Sequence, residues 1–311
     1  MNIRCHGSRP GEIALNVVAV VVTFNPEPAR LVELLAALAT QVDAIIVVDN
    51  GSTIDVLAHI KSSSLQNVES IALNSNLGIA AAQNVGIARA RELGTNYVLL
   101  SDQDSIPGRT MVRNLFDAAE KIRAAGKRLA CVGPSYLDER QQNPPPFIRV
   151  TGFRLERCSV LAEDAVVPVD YLIASGCMIP MHVLDQVGGM REDLFIDYVD
   201  IEWGLRARRC GFQSYGICAA KMRHSLGDQP IEFLGKKLPL HSPLRHYYHF
   251  RNAVLLYKEH WVPYNWKLVD GWRLLLKYVF YSLFAKPRVM HWRMMTVGLW
   301  HGLCSRTGKL D

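Results

Sequence analysis

The chain of 311 residues is 49% hydrophobic and 21% charged, a globular composition that supports a sizeable core and excludes intrinsic disorder. Its seven cysteines (Cys5, Cys131, Cys158, Cys177, Cys210, Cys218 and Cys304) are odd in number and include no C-x-x-C pair, which argues against a disulfide framework or structural zinc and suits a reducing cytosol. The net charge of +6 comes from the last quarter, where residues 241–311 carry 11 Lys/Arg against Glu259, Asp270 and Asp311; the rest is slightly acidic, so nucleic acid is a poor partner.

The opening segment MNIRCHGSRPGE is polar and does not read as a secretion signal. VVAVVVTF (17–24) is a continuous β-branched run, as expected of a parallel strand buried on both faces. Pro26 and Pro28 break it, and ARLVELLAALATQ follows as an amphipathic helix. AIIVVDN (44–50) is a second strand closed by Asn-Gly-Ser, and ESIALN (69–74) is a shorter third. LGIAAAQNVGIARARELG (77–94) is helical, with Gly94 as its C-terminal cap. YVLLSDQD (97–104) is the fourth strand, and TMVRNLFDAAEKIRAAG (110–126) is the helix after it. The alternation predicts an α/β fold with an open, mostly parallel sheet and helices on both faces. Such sheets bind ligands at the carboxyl ends of their strands.

The middle is less regular. NPPPF (143–147) reads as a loop and VPVDYLIASGCMIP (167–180) as strand and turn. LFIDYVDIEWGLRARRCG (194–211) has a helical pattern with Trp203, Leu205 and Ala207 toward the core. SYGICAAKMRHS (214–225) is a strand with His224 near its end. Residues 241–311 hold five of the six tryptophans and form basic helical stretches, which marks a boundary near residue 240. LLLKYVFYSLF (274–284) is too short to span a bilayer and contains Lys277. Cations among aromatic residues suit peripheral contact with an anionic membrane.

Three of the four strands end in residues capable of chemistry: Thr23-Phe24-Asn25, Asp49-Asn50-Gly51-Ser52 and Asp102-Gln103-Asp104. No G-x-G-x-x-G follows the first strand and no G-x-x-x-x-G-K-[ST] occurs, which removes the dinucleotide and P-loop readings. Two carboxylates at i and i+2 in a strand-to-loop bend suit a hard divalent cation, Mg²⁺ or Mn²⁺, with a phosphate as its remaining partner.

VVVTFN, VVDNGS, NLGIAAAQNVGI, LLSDQD and FIDYVDIEWGLR, in this order over roughly residues 15–225, resemble the family 2 glycosyltransferases of GT-A fold. LRHYYHFRNAVLL (244–256), DQDS and GLWHGL are similar to the bacterial rhamnosyltransferases that use dTDP-L-rhamnose. The resemblance implies a metal-dependent, inverting transfer of rhamnose to a hydroxyl of a glycan or glycolipid. It also implies a catalytic domain over 1–240, with a nucleotide-binding half (1–130) and an acceptor half (131–240), and a helical tail over 241–311. Carried over by position, Thr23, Asn25, Asn76, Gly78 and Asn84 border the nucleotide and Asp49 hydrogen-bonds a pyrimidine base. Asp102 approaches the ribose or a metal-bound water, Asp104 ligates the metal, and His224 is the third ligand. Asp200 takes the place of the general base, with Glu202 as runner-up and Val199 where the family commonly has glutamate. Arg206, Arg245 and Arg251 are the candidate cations for the diphosphate, and Ser175-Gly176-Cys177 matches the small-residue turn beneath the acceptor. The resemblance places the protein in the cytoplasm, peripheral on the inner face of the membrane. Another nucleotide sugar, or a catalytically silent scaffold, is the alternative; retention of Asp49, Asp102, Asp104 and Asp200 speaks against the scaffold. A nucleotidyltransferase fits poorly because FNPEPAR lacks a glycine- and cation-rich triphosphate loop.

Overall fold

The computed structural model describes residues 15–62, 65–137, 147–158, 162–224, 231–233, 236–238 and 240–310. The polar N-terminal segment and the prolines of NPPPF lie outside the described residues; Phe147, read as loop, opens a strand. The first half runs β1 (Val17–Thr23), α1 (Pro28–Ala39), β2 (Ala44–Asp49), α2 (Val56–Ser62), β3 (Val68–Ala72), α3 (Ile79–Glu92) and β4 (Tyr97–Asp102). A short β5 (Ser105–Pro107) precedes α4 (Met111–Ala124). Then come β6 (Leu129–Leu137), β7 (Phe147–Thr151), β8 (Arg154–Cys158), β9 (Val166–Val169), β10 (Met178–Pro180), α5 (Met181–Val187), α6 (Val199–Arg209) and β11 (Gln213–His224). The short strands β12 (Ile231–Phe233) and β13 (Lys236–Leu238) pair with each other. The C-terminal region is three helices: α7 (Pro243–Lys258), α8 (Tyr264–Phe284) and α9 (Arg288–Leu303).

The main sheet has the order β3-β2-β1-β4-β10-β6-β11-β5, with β9 beside β11. β1 to β4 are mutually parallel, and β10 runs antiparallel to both β4 and β6. The chain leaves β1 toward β2 and β3, then returns to β1's other side as β4, so the order reverses between β1 and β4. In open α/β sheets the ligand crevice lies at the carboxyl end of that reversal.

Alternation along β1 divides the core in two. Val17, Ala19 and Val21 face a layer built from α1 and α4, whereas Val18, Val20 and Val22 face α3, α5 and α6. The α1 leucines at positions 31, 34, 35 and 38 follow the helical period and are all buried. Each such side chain contributes about 1.5–3 kcal/mol by leaving water. α3 lies unusually close to the sheet, since a Cβ at Gly86 would stand 2.2 Å from Val20 Cγ1. Trp203, Leu205 and Ala207 of α6 are buried, as their spacing predicts.

The C-terminal helices join the second of these cores through Phe250, Ala253, Leu255, Leu256, Trp266 and Met295. α7 and α9 approach closely because α9 has glycine where they meet. A Cβ at Gly298 would stand 2.5 Å from the Tyr247 carbonyl oxygen, and one at Gly302 would stand 2.8 Å from that of Arg251. No helix among the described residues is long and apolar enough to cross a membrane. Because both close contacts are with backbone, Gly298→Val is expected to force α9 off α7. The loss is about 1–3 kcal/mol or more, read as a lowered denaturant midpoint; an unchanged midpoint would show that the helices separate freely.

Candidate functional site

The three strand ends form one crown of polar side chains. At the point where the strand order reverses, Gln103 links the end of β4 to the end of β1 in a reciprocal pair. The Phe24 N–H donates to Gln103 Oε1 at 2.8 Å, and Gln103 Nε2 donates to the Phe24 carbonyl at 3.2 Å. At the end of β2, Asp49 Oδ1 accepts from the Thr23 and Ser52 hydroxyls and Oδ2 from the Ser52 N–H. A carboxylate has about four lone-pair positions, so these bonds leave one for an outside donor. Asn25, at φ 46°, accepts at Oδ1 from both the N–H and the hydroxyl of Thr53. Thr23 is fully buried and acts on Asp49 rather than on open space.

Asp102 and Asp104 flank Gln103, and both are partly exposed. The Asp102 N–H donates to the buried Ser175 hydroxyl at 3.2 Å, and the Ser175 carbonyl accepts from the Tyr136 hydroxyl at 2.8 Å. The small-residue turn therefore sits against the acidic turn. β5 pairs with β11 so that His224 stands opposite Ser105, the neighbour of Asp104. Among the described side chains no three His, Cys, Asp or Glu residues converge as a preformed cage. Mg²⁺ and Mn²⁺ do not need one, since one or two carboxylates with substrate phosphates and water complete their shell. The oxygen donors of this turn fit such an ion.

Asp200 lies in the first turn of α6, its Oδ1 accepting from the Ile201 N–H at 2.8 Å. Burial, aided by the charges of Asp197 and Asp102, pushes its carboxyl up to about 6. One of those charges, Asp102, belongs to the acidic turn. The Tyr136 phenol is pushed up by burial, with smaller contributions from Cys177, Asp102 and Asp200.

Among the described residues, the segment leading to Asp200 is the one that gathers three non-glycine residues at positive φ within four positions. Phe195, Asp197 and Tyr198 all have φ of 64°, and the Ile196 N–H donates to the Leu194 carbonyl across a γ-turn at Phe195. Such conformations cost of order 1–3 kcal/mol each and persist only where surroundings enforce them. The enforcing groups come from α7. Asn252 Nδ2 donates to the carbonyls of Leu194, Ile196 and Asp197 at 2.7–2.9 Å. Arg251, 0% exposed, donates to the Leu194 and Gly308 carbonyls and stacks on Tyr247 and Tyr248. On the other side the Ile79 N–H donates to the Phe195 carbonyl. The Tyr198 hydroxyl donates to Asp270 of α8 at 2.7 Å.

Several expected ligand contacts are instead structural. Glu202 is 2% exposed and forms a two-pronged ion pair with Arg206, which also donates to the carbonyls of Val187 and Gly189. Together they bolt α6 to the end of α5. Arg251 is likewise engaged, fully buried, by the Leu194 and Gly308 carbonyls. Asn76 Oδ1 accepts from Asn50 and from the Gly78 N–H. Gly78, at φ 94°, admits the Phe195 backbone, where a Cβ would stand 2.6 Å from its oxygen. Asn84 donates to the Met190 carbonyl and Glu192 and accepts from the Met190 N–H. The segment 76–84 is thus the seat of the turn before α6. Of the three arginines, Arg245 is the half-exposed one, its Nε facing Asp197 at 3.3–3.4 Å. Asn252, Asp197 and Tyr136 were missed in the sequence, and Gln103 was noted there only as part of the polar end of the fourth strand. Only Gln103, framed by two aspartates, and Asn252, beside Arg251, carried any local signal.

The sequence profile named Glycosyl transferase family 2 matches residues 18–182. The chain is 36% identical over 250 residues to the dTDP-rhamnosyl transferase RfbF of Shigella flexneri, covering 80% of this chain and 82% of that one. Among solved structures, S. aureus TarS residues 1–349 in complex with UDP-GlcNAc superimposes with a TM-score of 0.58 at 16% identity, over 93% of this chain and 81% of that one. GalNAc-T7 with UDP, GalNAc and Mn²⁺ gives 0.55 at 12% identity, over 93% of this chain and 57% of that one. At these identities the likeness is one of fold, and the fold is the expected GT-A architecture.

Asp200 and Glu202 separate cleanly by substitution. Because burial favours the neutral Asp200 carboxyl, its charged form opposes folding above about pH 6 and not below the unfolded value near 4. Asp200→Asn should therefore raise the melting temperature at pH 7.5, lose that gain toward pH 4, and abolish catalysis. Glu202→Gln should keep most turnover while losing about 1–3 kcal/mol of stability. Turnover surviving Asp200→Asn but not Glu202→Gln would reverse the two roles.

Proposed function

Because the chain belongs to glycosyl transferase family 2, we propose that it transfers L-rhamnose from dTDP-L-rhamnose to a hydroxyl of a glycan or glycolipid acceptor, inverting the anomeric carbon. The reaction class rests on the family membership, and Asp200 is supported as its base by its place in the first turn of α6, with a carboxyl raised by burial and by the charges of Asp197 and Asp102. The donor rests on the likeness to the Shigella flexneri protein named for dTDP-rhamnosyl transfer.

Asp49 receives the pyrimidine. Its remaining acceptor position takes the imino N–H of thymine, a donor that adenine lacks at that edge. Thr23 and Ser52 orient that carboxylate through their hydroxyls, and Asn25 holds the 52–53 turn against it. Asp102, whose backbone N–H donates to the Ser175 hydroxyl, serves the ribose or a metal-bound water. Asp104 and Asp102 would hold a divalent cation, Mg²⁺ or Mn²⁺, with His224, whose side chain lies outside those described, as the third ligand, and the ion would supply charge neutralisation for the diphosphate. Arg245, swinging from Asp197, adds a cation from the tail. Asn76, Gly78 and Asn84 serve the donor through the turn they seat.

Asp200 is the general base. Its carboxylate accepts the acceptor's hydroxyl proton while that oxygen bonds to the anomeric carbon and the bond from carbon to diphosphate oxygen breaks. One displacement on the face opposite the leaving group inverts the centre. A carboxyl near 6 is ionised at neutral pH yet more basic than an ordinary aspartate, which favours proton transfer in the transition state. The protein works in the cytoplasm as a peripheral protein on the inner face of the bacterial membrane, where a lipid-linked acceptor for surface polysaccharide is met.

Titration of the purified protein with dTDP-L-rhamnose and with UDP-sugars, with and without Mn²⁺, tests this reading. Tight binding of the dTDP-sugar that requires metal and is lost in Asp104→Asn is the expected result. Preference for a UDP-sugar would overturn the rhamnose assignment, and no binding of any nucleotide sugar would favour a silent scaffold. In turnover, kcat/KM should fall about tenfold per pH unit below the Asp200 value; a flat profile down to pH 5 would remove Asp200 from the proton transfer.

A further inference from the structure

α8 is built inside out for a helix facing water. It is 21 residues and so about 31 Å long, yet only Trp266 and Leu274 are buried. Its polar side faces the protein, where Asp270 accepts from the Tyr198 and Tyr257 hydroxyls and Lys277 meets His249 at 2.9 Å. Its outer side shows Leu268, Trp272, Leu275, Val279 and Leu283, spaced by four, three, four and four residues and hence on one face. Trp272 is 62% exposed, and beyond the turn into α9 Val289 is 75% exposed. Among the described residues, 13 of the 19 large exposed hydrophobics lie between 264 and 303. Scattered apolar residues need no explanation, whereas a contiguous face of this kind marks an interaction site.

The charge around that face selects its occupant. Residues 271–310 contain no Asp or Glu and seven Lys/Arg. Lys286, Arg288 and Arg293 stand exposed at the α8–α9 turn, beside Val289 and Trp292. A second copy pairing through the same face would bring no carboxylate to these cations, since residues 271–310 contain none. An anionic leaflet offers acyl chains to the apolar stripe, a headgroup zone to the tryptophans and negative charge to the turn. We propose that the outer face of α8 and the α8–α9 turn form a docking surface for an anionic bilayer, with α8 lying in the headgroup plane and not crossing it. This deepens the membrane placement given above and is independent of the donor sugar.

Flotation of the full chain with phosphatidylcholine vesicles, with and without phosphatidylglycerol, tests the surface. The protein should float with phosphatidylglycerol vesicles and stay behind with phosphatidylcholine alone. The pair Trp272→Glu/Val279→Glu and the pair Lys286→Glu/Arg288→Glu should each weaken flotation at least about tenfold, with melting temperature and dTDP-L-rhamnose binding unchanged. Wild-type protein that remains unbound to phosphatidylglycerol vesicles would overturn the proposal. So would a dimer in light scattering that Trp272→Glu turns into a monomer, since a second copy would then cover the face. Flotation without dTDP-sugar binding would keep the surface and sink the donor reading; sugar binding without flotation would do the reverse.

Discussion

The site depends on a clamp between two neighbouring residues of α7 and the turn before α6. Three residues of that turn, Phe195, Asp197 and Tyr198, are held at positive φ without a glycine among them. Left alone, such a segment would relax into ordinary extended or helical backbone and carry Asp197 and Asp200 away. Asn252 prevents this by donating to three of its carbonyls, and Arg251 by reaching Leu194 from a position sealed from water. A buried guanidinium is costly unless its donors are used; here they are used on carbonyls while the ring faces of two tyrosines cover the plane. The C-terminal segment closes the arrangement, with the Gly308 N–H donating to the Asp193 carbonyl.

The same logic organises the strand ends. A sheet edge leaves backbone groups and strand-end side chains facing water, and the chain ties them to one another before any ligand arrives. Gln103 joins β4 to β1, Thr23 and Ser52 orient Asp49, and Asn50 with Asn76 sets the approach to α3. Preorganisation of this kind lowers the cost of ordering the site when substrate binds. It also leaves charge concentrated where a cation and a diphosphate would meet. The tail therefore contributes from two sides, its inner residues fixing the turn before Asp200 and its outer residues presenting an apolar, basic face.

Much of the fold was legible because it rests on local pattern. The four parallel strands announce themselves as apolar runs, the α1 leucines by their period, and the strand ends by clusters of polar residues. The acidic turn and Asp200 were singled out by their order along the chain and by family resemblance. What escaped was the division of labour among polar residues of similar appearance. Glu202 and Asp200 look equivalent in VDIEWGLR, yet one is paired with Arg206 and the other accepts from the Ile201 N–H, with its carboxyl raised by burial. Arg251 and Arg245 look equivalent in LRHYYHFRN, yet six positions carry them to opposite surroundings, one sealed and one half-exposed. Nothing in Phe-Ile-Asp-Tyr signals three left-handed residues, because that conformation is imposed by partners more than fifty positions away.

Hydrogen exchange of the Phe195 and Ile196 amides, compared between wild type and Asn252→Ala, tests the clamp most directly. Both amides are bonded within the turn, to the Glu192 and Leu194 carbonyls. The account predicts that they lose protection in the variant while the amides of β1, β2 and β4 keep theirs, and that sugar transfer falls with donor binding retained. Unchanged protection at both positions, with transfer intact, would contradict it.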